Sequence, residues 1–190
     1  GLGNYNTQLA DNGPYHLIAG SLNLVNVAPD IDNGLLQDSA AAADNATNID
    51  DEDGVTLPVV NTGTTTVNMT VRATNTTGTA AFFACWIDFN RDGDFVDPGE
   101  KAPNVGVPAN SGSANYAAVF NGFAPPAAGA TYIRCRIAYQ AADVNNPTGG
   151  ANSGEVEDYR VDTALSVTLA SFDAASQAGH VLVAWETVSE

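Results

Sequence analysis

Residues 82–100 read FFACWIDFNRDGDFVDPGE, and they combine two kinds of sequence. The first part, residues 82–87, is rich in aromatic and aliphatic side chains and favours a buried β-strand. The second part places oxygen-bearing side chains at every second position, with Gly93 directly after the third. A loop that winds tightly around a hard divalent cation presents alternate side chains to it, with glycine at the sharp bend. The stretch therefore predicts a calcium loop inserted between β-strands.

The spacing within this loop matches the calcium-loop pattern at its start but not at its end. Counted from Asp88, ligand positions one, three and five and the glycine at position six all match. Position twelve is Gly99, and the carboxylate of Glu100 comes one place later. The alternative is an uncomplexed turn, because Asp, Asn and Gly are also ordinary turn residues, although its acidic groups would then repel one another. The predicted calcium ligands are Asp88, Asn90, Asp92, Asp94, Asp97 and Glu100.

The charge of the chain argues against two classes of partner. Its 190 residues include 22 acidic and 6 basic ones, for a formal net charge of −16. Nucleic acids and anionic membranes both need a basic surface, so we expect neither as a partner. No apolar run approaches the ~20 residues that span a bilayer, so we expect no membrane insertion. The chain begins at Gly1 without an initiator Met or a signal peptide, which predicts a mature or excised piece.

Alternating apolar and polar residues recur along the chain and indicate β-strands. The clearest examples are residues 65–73 and residues 131–139, where Arg134 and Arg136 fall on the outer side. No segment shows a helical period. Eight or more short strands separated by turn residues predict an all-β fold, an antiparallel β-sandwich of the jelly-roll or Greek-key type with long acidic loops.

The two cysteines, Cys85 and Cys135, lie in strand-like runs of similar character. If the two strands are neighbours, a disulfide is sterically reasonable, and an extracellular setting would allow it. The alternative is a pair of buried thiols that pack as small hydrophobic side chains.

A second acidic region lies in residues 28–54, which contain no Lys or Arg. Further along, strand alternation puts Glu155 and Glu157 on one face and Asp158 on the other. The two same-face carboxylates, Glu155 and Glu157, suit a second cation, an ion pair with Arg134 or Arg136, or glycosidase-type acid–base chemistry, in that order of preference. The candidate residues of the second metal site are Asp50, Asp51, Glu52, Asp53, Glu155, Glu157 and Asp158.

Residues 154–159 read GEVEDY, and through them the chain resembles the GEVED domain, a β-rich module of large secreted and surface proteins that are mostly bacterial. The resemblance covers roughly residues 5–162. It implies a non-catalytic, calcium-dependent surface module and hence an extracellular or cell-surface protein of a prokaryote. Other landmarks of the family follow in the same order: DEDGV at 51–55, WIDFN and DGD within 86–94, YIRCR at 132–136 and PTG at 147–149.

After this region the chain continues with two more alternating runs, residues 165–172 and 180–186. They resemble the first hairpin of a following fibronectin-like β-domain. We therefore expect a GEVED-like calcium-binding β-sandwich over residues 1–163 and a β-hairpin extension over residues 164–190. Two strands alone cannot bury their apolar faces, so the final strand is predicted to pair with a neighbouring chain. Its assembly face carries Val181, Val183 and Trp185.

The resulting hypothesis is a non-catalytic, calcium-stabilised structural or adhesive module, and in its finer form a subunit of a surface filament built by strand addition. Its expected partners are other copies of the chain or neighbouring domains of the same surface protein. The first alternative is a monomeric carbohydrate- or protein-binding module. The second is a glycoside hydrolase with paired carboxylates, which is disfavoured because the sequence has two histidines and neither G-x-S-x-G nor H-E-x-x-H.

Overall fold

The computed structural model describes residues 5–18, 20–24, 39–41 and 54–189, and these residues form β-strands and short turns with no α-helix. Two 3-10 helices, Leu9–Asp11 and Ala141–Val144, lie among them. None of the helices in these ranges is long and apolar enough to cross a membrane. The strands are β1 (Tyr15–His16), β2 (Leu22–Asn23), β3 (Val55–Thr56), β4 (Thr66–Asn75), β5 (Ala81–Ile87), β6 (Val105–Val107), β7 (Gly112–Asn121), β8 (Gly129–Ala138), β9 (Gly150–Ala151), β10 (Glu155–Thr163), β11 (Val167–Gln177) and β12 (His180–Ser189).

Two antiparallel sheets pack face to face. Sheet one has the order β10-β8-β5-β6. In sheet two β4 is central, with β7 along one edge and the short strands β2 and β3 along the other. Side chains from both sheets share one core cluster, as the alternation of β4 and β8 predicts. The predicted all-β antiparallel sandwich is confirmed.

The core is closed covalently by a disulfide. Cys85 of β5 lies directly opposite Cys135 of β8, with their Cα atoms 4.1 Å apart, and the two sulfurs are bonded. The predicted disulfide is therefore present, and it joins two cysteines that are 50 residues apart in sequence. In the chain-entropy treatment, a loop of this length makes the bond worth about 4 kcal/mol of stability.

The outer face of sheet one, opposite the core, departs from the sequence prediction. Arg134 and Arg136 do point away from the core, but both are completely buried. Residues 141–151 and the N-terminal segment, residues 5–18, cover this face together with the loop that follows β5. A second apolar cluster lies beneath this cover. Its buried members are Tyr5, Ala84, Trp86, Phe95, Ala138, Val144 and Ala151.

The C-terminal strands β11 and β12 form the predicted hairpin, with a bulge between Leu169 and Ser171 and Gly179 at the turn with φ +86°. The described side chains of this hairpin are exposed. A short connection holds it to the sandwich: the N–H of Ala164 donates to the carbonyl of Val60 at 3.1 Å, and Ala164 accepts from the N–H of Thr62 at 3.0 Å.

Candidate metal centre

The loop of residues 88–100 leaves β5 and returns to the same strand, so both of its ends are fixed. The N–H of Ile87 donates to the carbonyl of Glu100 at 2.9 Å, and Trp86 pairs with Lys101. Within the loop Gly93 has a φ of +95°, in the left-handed region that favours glycine. The sequence prediction of a sharp bend after the third oxygen ligand therefore has its counterpart in the backbone.

Asp88 and Glu100 are the first and last predicted ligands. Both are buried, and their carboxylates accept hydrogen bonds from backbone N–H groups of the loop. Asp88 is 0% exposed; its Oδ1 accepts the N–H of Arg91 at 2.5 Å and its Oδ2 accepts the N–H of Gly93 at 3.1 Å. Glu100 is 1% exposed, and its two oxygens accept the N–H groups of Phe89 at 3.0 Å and Asp97 at 3.2 Å. Burial raises the pKa of Glu100 to about 7, and the nearby charge of Asp88 acts in the same direction.

Three other predicted ligands form an acidic triad, Asp92, Asp94 and Asp97, near the loop surface. One carboxylate oxygen from each lies within 4.8 Å of the others. Asn90 lies between two of them, because its Nδ2 donates to Asp92 Oδ2 at 3.1 Å and to Asp97 Oδ2 at 2.5 Å. The structure thus brings Asp92, Asp94, Asp97 and Asn90 together and places Asp88 and Glu100 behind them.

No basic side chain neutralises the acidic triad among the described residues. The two ion pairs found in these residues join Arg134 to Asp158 and Arg160 to Asp162. Arg91, although it belongs to the loop, donates to the carbonyls of Ala128 and Ala130 at 2.6 and 2.8 Å. Three carboxylates at this separation are the hard oxygen donors that calcium prefers, so the donor set fits a divalent cation.

A shallow cleft of about 360 Å³ adjoins the acidic triad. Asn90 and Asp97 line it on the loop side, and Phe123 lines it on the other. The ring of Phe123 stacks on that of Phe89 at a centroid distance of 3.8 Å. The cleft therefore combines an aromatic wall with carboxylate and amide groups.

The second candidate site is only partly within the described residues, because Asp50, Asp51, Glu52 and Asp53 lie outside them. Glu155 and Glu157 are 6% and 3% exposed and share one face of β10. Glu155 accepts a hydrogen bond from the N–H of Leu24, and Glu157 accepts one from the hydroxyl of Tyr159 at 2.6 Å.

Gly54, which directly follows the acidic run, packs against this pair. A Cβ at Gly54 would lie 1.7 Å from the carbonyl oxygen of Leu24 and 2.9 Å from Oε2 of Glu157. The close approach requires glycine at this position.

Asp158 lies on the opposite face of β10 and forms a bidentate ion pair with Arg134, with N···O distances of 2.7 and 2.6 Å. Glu155 and Glu157 face the core while both arginines face away from it, so Asp158 is the residue of the sextet that pairs with Arg134. The remaining donors of the arginines hold nearby backbone. Arg136 donates to the carbonyls of Asn146, Thr148 and Gly149, each at 2.7 Å.

Tyr5 and His16 also lie in the segment that covers the outer face of sheet one. Sequence patterns did not mark them as site residues. His16 accepts a hydrogen bond on Nε2 from Arg136 at 3.0 Å and donates from Nδ1 to the carbonyl of Ser153 at 2.7 Å. Burial, followed by the charge of Arg136, lowers the pKa of His16 to about 4. An isolated Tyr or His carries no periodic signal, because its partners are distant in sequence.

Residues 82–162 match the family model described as GEVED domain. The match confirms the resemblance and indicates a β-module of a larger protein. It contains the 88–100 loop, both buried arginines and the sextet at 154–159. No curated protein and no solved structure matches the chain.

Proposed function

We propose that this GEVED-domain chain is a non-catalytic, calcium-stabilised structural module of an extracellular or cell-surface protein. The observation that carries the proposal is the acidic triad, three converging carboxylates with no basic partner in the described part of the chain. The disulfide between Cys85 and Cys135 is compatible with an extracellular location.

The carboxylates of the loop have two different roles. Asp88 and Glu100 fix the backbone by accepting hydrogen bonds from its N–H groups, and the acidic triad supplies oxygens near the loop surface. Asp92, Asp94 and Asp97 would hold calcium, which would offset most of the negative charge of the triad. Because both loop ends are fixed on β5, bound calcium would stabilise sheet one directly.

Thermal melting tests the calcium proposal. A ligand that binds only the native state at about 100 times its Kd adds ~2.7 kcal/mol, and extracellular modules bind calcium at roughly 10⁻⁴–10⁻³ M. We expect the melting temperature to rise by about 5–10 °C between EDTA and excess calcium. Asp92→Ala should remove most of this rise, whereas Asp162→Ala, an exposed carboxylate on β10, should retain it. An identical midpoint with and without calcium would refute the proposal.

A second calcium ion is proposed at Glu155 and Glu157, together with the acidic run at 50–53. Its support is the position of two same-face carboxylates beside Gly54, because carboxylate oxygens are the ligands that calcium prefers. Asp158 is better explained by its pair with Arg134. Calorimetric titration should give two ions per chain and one in Glu157→Gln; a single ion in the wild-type chain would leave the 88–100 loop as the sole site.

We also propose a more specific function, which is assembly through the C-terminal hairpin. The cross-strand register puts Phe172 opposite Trp185 and Ala174 opposite Val183 on one face. The large side chains of this apolar face are 42–67% exposed, and burying each one fully would contribute about 1.5–3 kcal/mol. Its members are Val167, Leu169, Phe172, Val181, Val183 and Trp185.

The partner that covers this face is another copy of the chain or a neighbouring domain of the same surface protein, and strand addition to a filament is the specific form that we propose. Deleting residues 167–190 should leave a folded monomer, observed by analytical ultracentrifugation and by its melting curve, while the full chain forms multimers visible by electron microscopy. If the full chain stays monomeric at every concentration, the filament proposal fails.

Carbohydrate binding in the cleft beside Phe123 is the alternative binding function, since aromatic walls with nearby carboxylates suit sugar rings and hydroxyls. Glycosidase activity is not proposed. Glu155 and Glu157 face the core and accept hydrogen bonds from Leu24 and Tyr159, which leaves them away from a sugar cleft. Turnover of any glycan that is lost in Glu155→Gln would overturn the non-catalytic assignment.

A further inference from the structure

Tyr5 connects the N-terminal segment, residues 5–18, to the 88–100 loop through three of its polar groups. Its hydroxyl donates to Oδ2 of Asp88 at 2.7 Å. Its backbone N–H donates to the carbonyl of Gly93 at 3.2 Å. Its carbonyl accepts from Nη1 of Arg134 at 3.1 Å. One residue thus bonds to the start of the loop, to its bend and to the sheet beneath.

The ring of Tyr5 adds apolar contacts to the loop and to the sheet. The residue is 9% exposed, and its ring lies 5.0 Å from that of Phe95 in the loop and 4.9 Å from that of Tyr132 in β8. The guanidinium of Arg134 lies 5.3 Å from the ring of Phe95. Loop, sheet and N-terminal segment therefore share one cluster, and displacing any one of them would expose apolar surface.

The contact with Asp88 determines where the acidic triad is held. The hydroxyl of Tyr5 and the N–H of Gly93 both donate to Oδ2 of Asp88, so they fix its carboxylate in one orientation. That carboxylate sets the bend from which Asp92 and Asp94 project. Without a cation, repulsion within the acidic triad favours opening of this bend, and opening would break the bonds of Tyr5. Calcium and Tyr5 therefore favour the same closed loop.

The sextet at residues 154–159 is linked to Tyr5 through Arg134. Asp158 orients Arg134 through its bidentate pair, and Arg134 in turn donates to the carbonyls of Tyr5 and Pro147. A continuous series of hydrogen bonds thus runs from the sextet to the loop: Asp158, Arg134, Tyr5, Asp88.

We propose that Tyr5 is a positioning residue that couples docking of the N-terminal segment to calcium binding in the 88–100 loop. The inference rests on the proposed calcium site. Because coupling between two binding events is reciprocal, Tyr5 must raise calcium affinity by the same factor by which calcium favours docking of the segment. Calcium therefore acts on a part of the chain that supplies no carboxylate to the acidic triad.

Calorimetric titration of the full chain with calcium chloride tests the first half of this cycle. Tyr5→Phe keeps the ring and removes the hydroxyl bonded to Asp88, so the Kd for calcium should rise about tenfold, as the loss of a hydrogen bond to a charged group predicts. Tyr116→Phe removes a hydroxyl from a ring that packs on Phe83 in the core, away from the loop. Its Kd should equal that of the wild-type chain.

Hydrogen exchange of the wild-type chain tests the second half without a variant. The amides of residues 5–12 should exchange about tenfold more slowly in calcium than in EDTA, by the same reciprocity. In Tyr5→Phe this protection should largely disappear. The coupling is refuted, while the calcium site stands, if two results are found together. The wild-type chain and Tyr5→Phe bind calcium with the same Kd, and calcium does not slow N-terminal exchange in the wild-type chain. If the wild-type chain takes up no calcium, both are refuted.

Discussion

Strands β8 and β12 both carry apolar side chains at alternate positions, but their surroundings are opposite. Both alternate, with Ile133, Cys135 and Ile137 on one face of β8 and Val183 and Trp185 on one face of β12. In β8 nearly every side chain from Thr131 to Ala138 is buried, whereas those of β12 are exposed. Alternation therefore predicts that a strand forms, but it does not say what covers either face.

The difference follows from the number of neighbours. β8 lies between β10 and β5 in sheet one, faces sheet two across the core, and has its outer face covered by loops. β12 pairs with β11 alone among the described strands. The sandwich should accordingly carry the cooperative stability of the chain, while the hairpin leaves apolar surface available to a partner.

The largest effect should come from the disulfide inside the sandwich. Replacing Cys85 and Cys135 together by Ala should lower the free energy of unfolding by about 4 kcal/mol, because the unfolded chain regains the entropy of an open loop. Urea denaturation measures this. The hairpin deletion of residues 167–190 is the control, and the loss should be the same in its background. A smaller loss there would mean that the hairpin shares the stability of the sandwich.

The next largest effect on stability should come from an ion pair that involves β10. Two such pairs are present, and they differ in burial. Asp158→Ala leaves the guanidinium of the fully buried Arg134 without its carboxylate, so stability should fall by about 3 kcal/mol. Asp162→Ala removes the partner of the exposed Arg160 and should cost less than ~1 kcal/mol. Urea denaturation of both variants at constant calcium measures the contrast. Equal losses would contradict the finding that the outer face of sheet one is covered.

The two histidines extend the comparison to pH. The pKa of His16 in the folded state, about 4, lies below its unfolded value near 6.5, so the unfolded state binds more protons between them. The stability that this difference provides is fully present above pH 6.5 and is lost as the pH falls through about 4, amounting to about 3 kcal/mol. Protonation would set His16 against the charge of Arg136, with Arg134, Asp143 and Asp158 close to that guanidinium.

Urea denaturation at pH 7 and pH 4, at fixed calcium, measures this loss. His16→Gln should reduce the difference between the two pH values, whereas His180→Gln, at the exposed start of β12, should leave it unchanged. An unaltered pH dependence in His16→Gln would mean that another group causes the acid sensitivity.

The smallest effect on folding should come from the hairpin itself. Trp185→Ser removes a side chain that is 67% exposed, so the unfolding free energy of the sandwich should change by less than ~0.5 kcal/mol. The same change should weaken self-association, which sedimentation velocity measures. A loss of several kcal/mol would instead show that β12 packs on its own sandwich.

Local patterns predicted the strands and the glycine bend because period and turn chemistry depend on neighbours in sequence. They could not assign roles within the 88–100 loop, since spacing does not say whether a carboxylate such as Asp88 accepts backbone N–H groups or faces outward. They also missed the burial of Arg134 and Arg136, which depends on loops that fold over the sheet from elsewhere in the chain. The bonds of Tyr5 are of the same kind, joining residues 83 positions apart.

The disulfide also has a mechanical consequence. The 88–100 loop and strands β6 and β7 all lie between Cys85 and Cys135, which are separated by 50 residues in sequence. If the chain is pulled between its N-terminal segment and β10, the tension passes directly from Cys85 to Cys135 through the S–S bond. The enclosed residues, whose extended length would be roughly 170 Å, do not lengthen under that load. A protein built in this way can be stretched while the 88–100 loop bears no load, and only reduction of the disulfide allows the enclosed residues to extend.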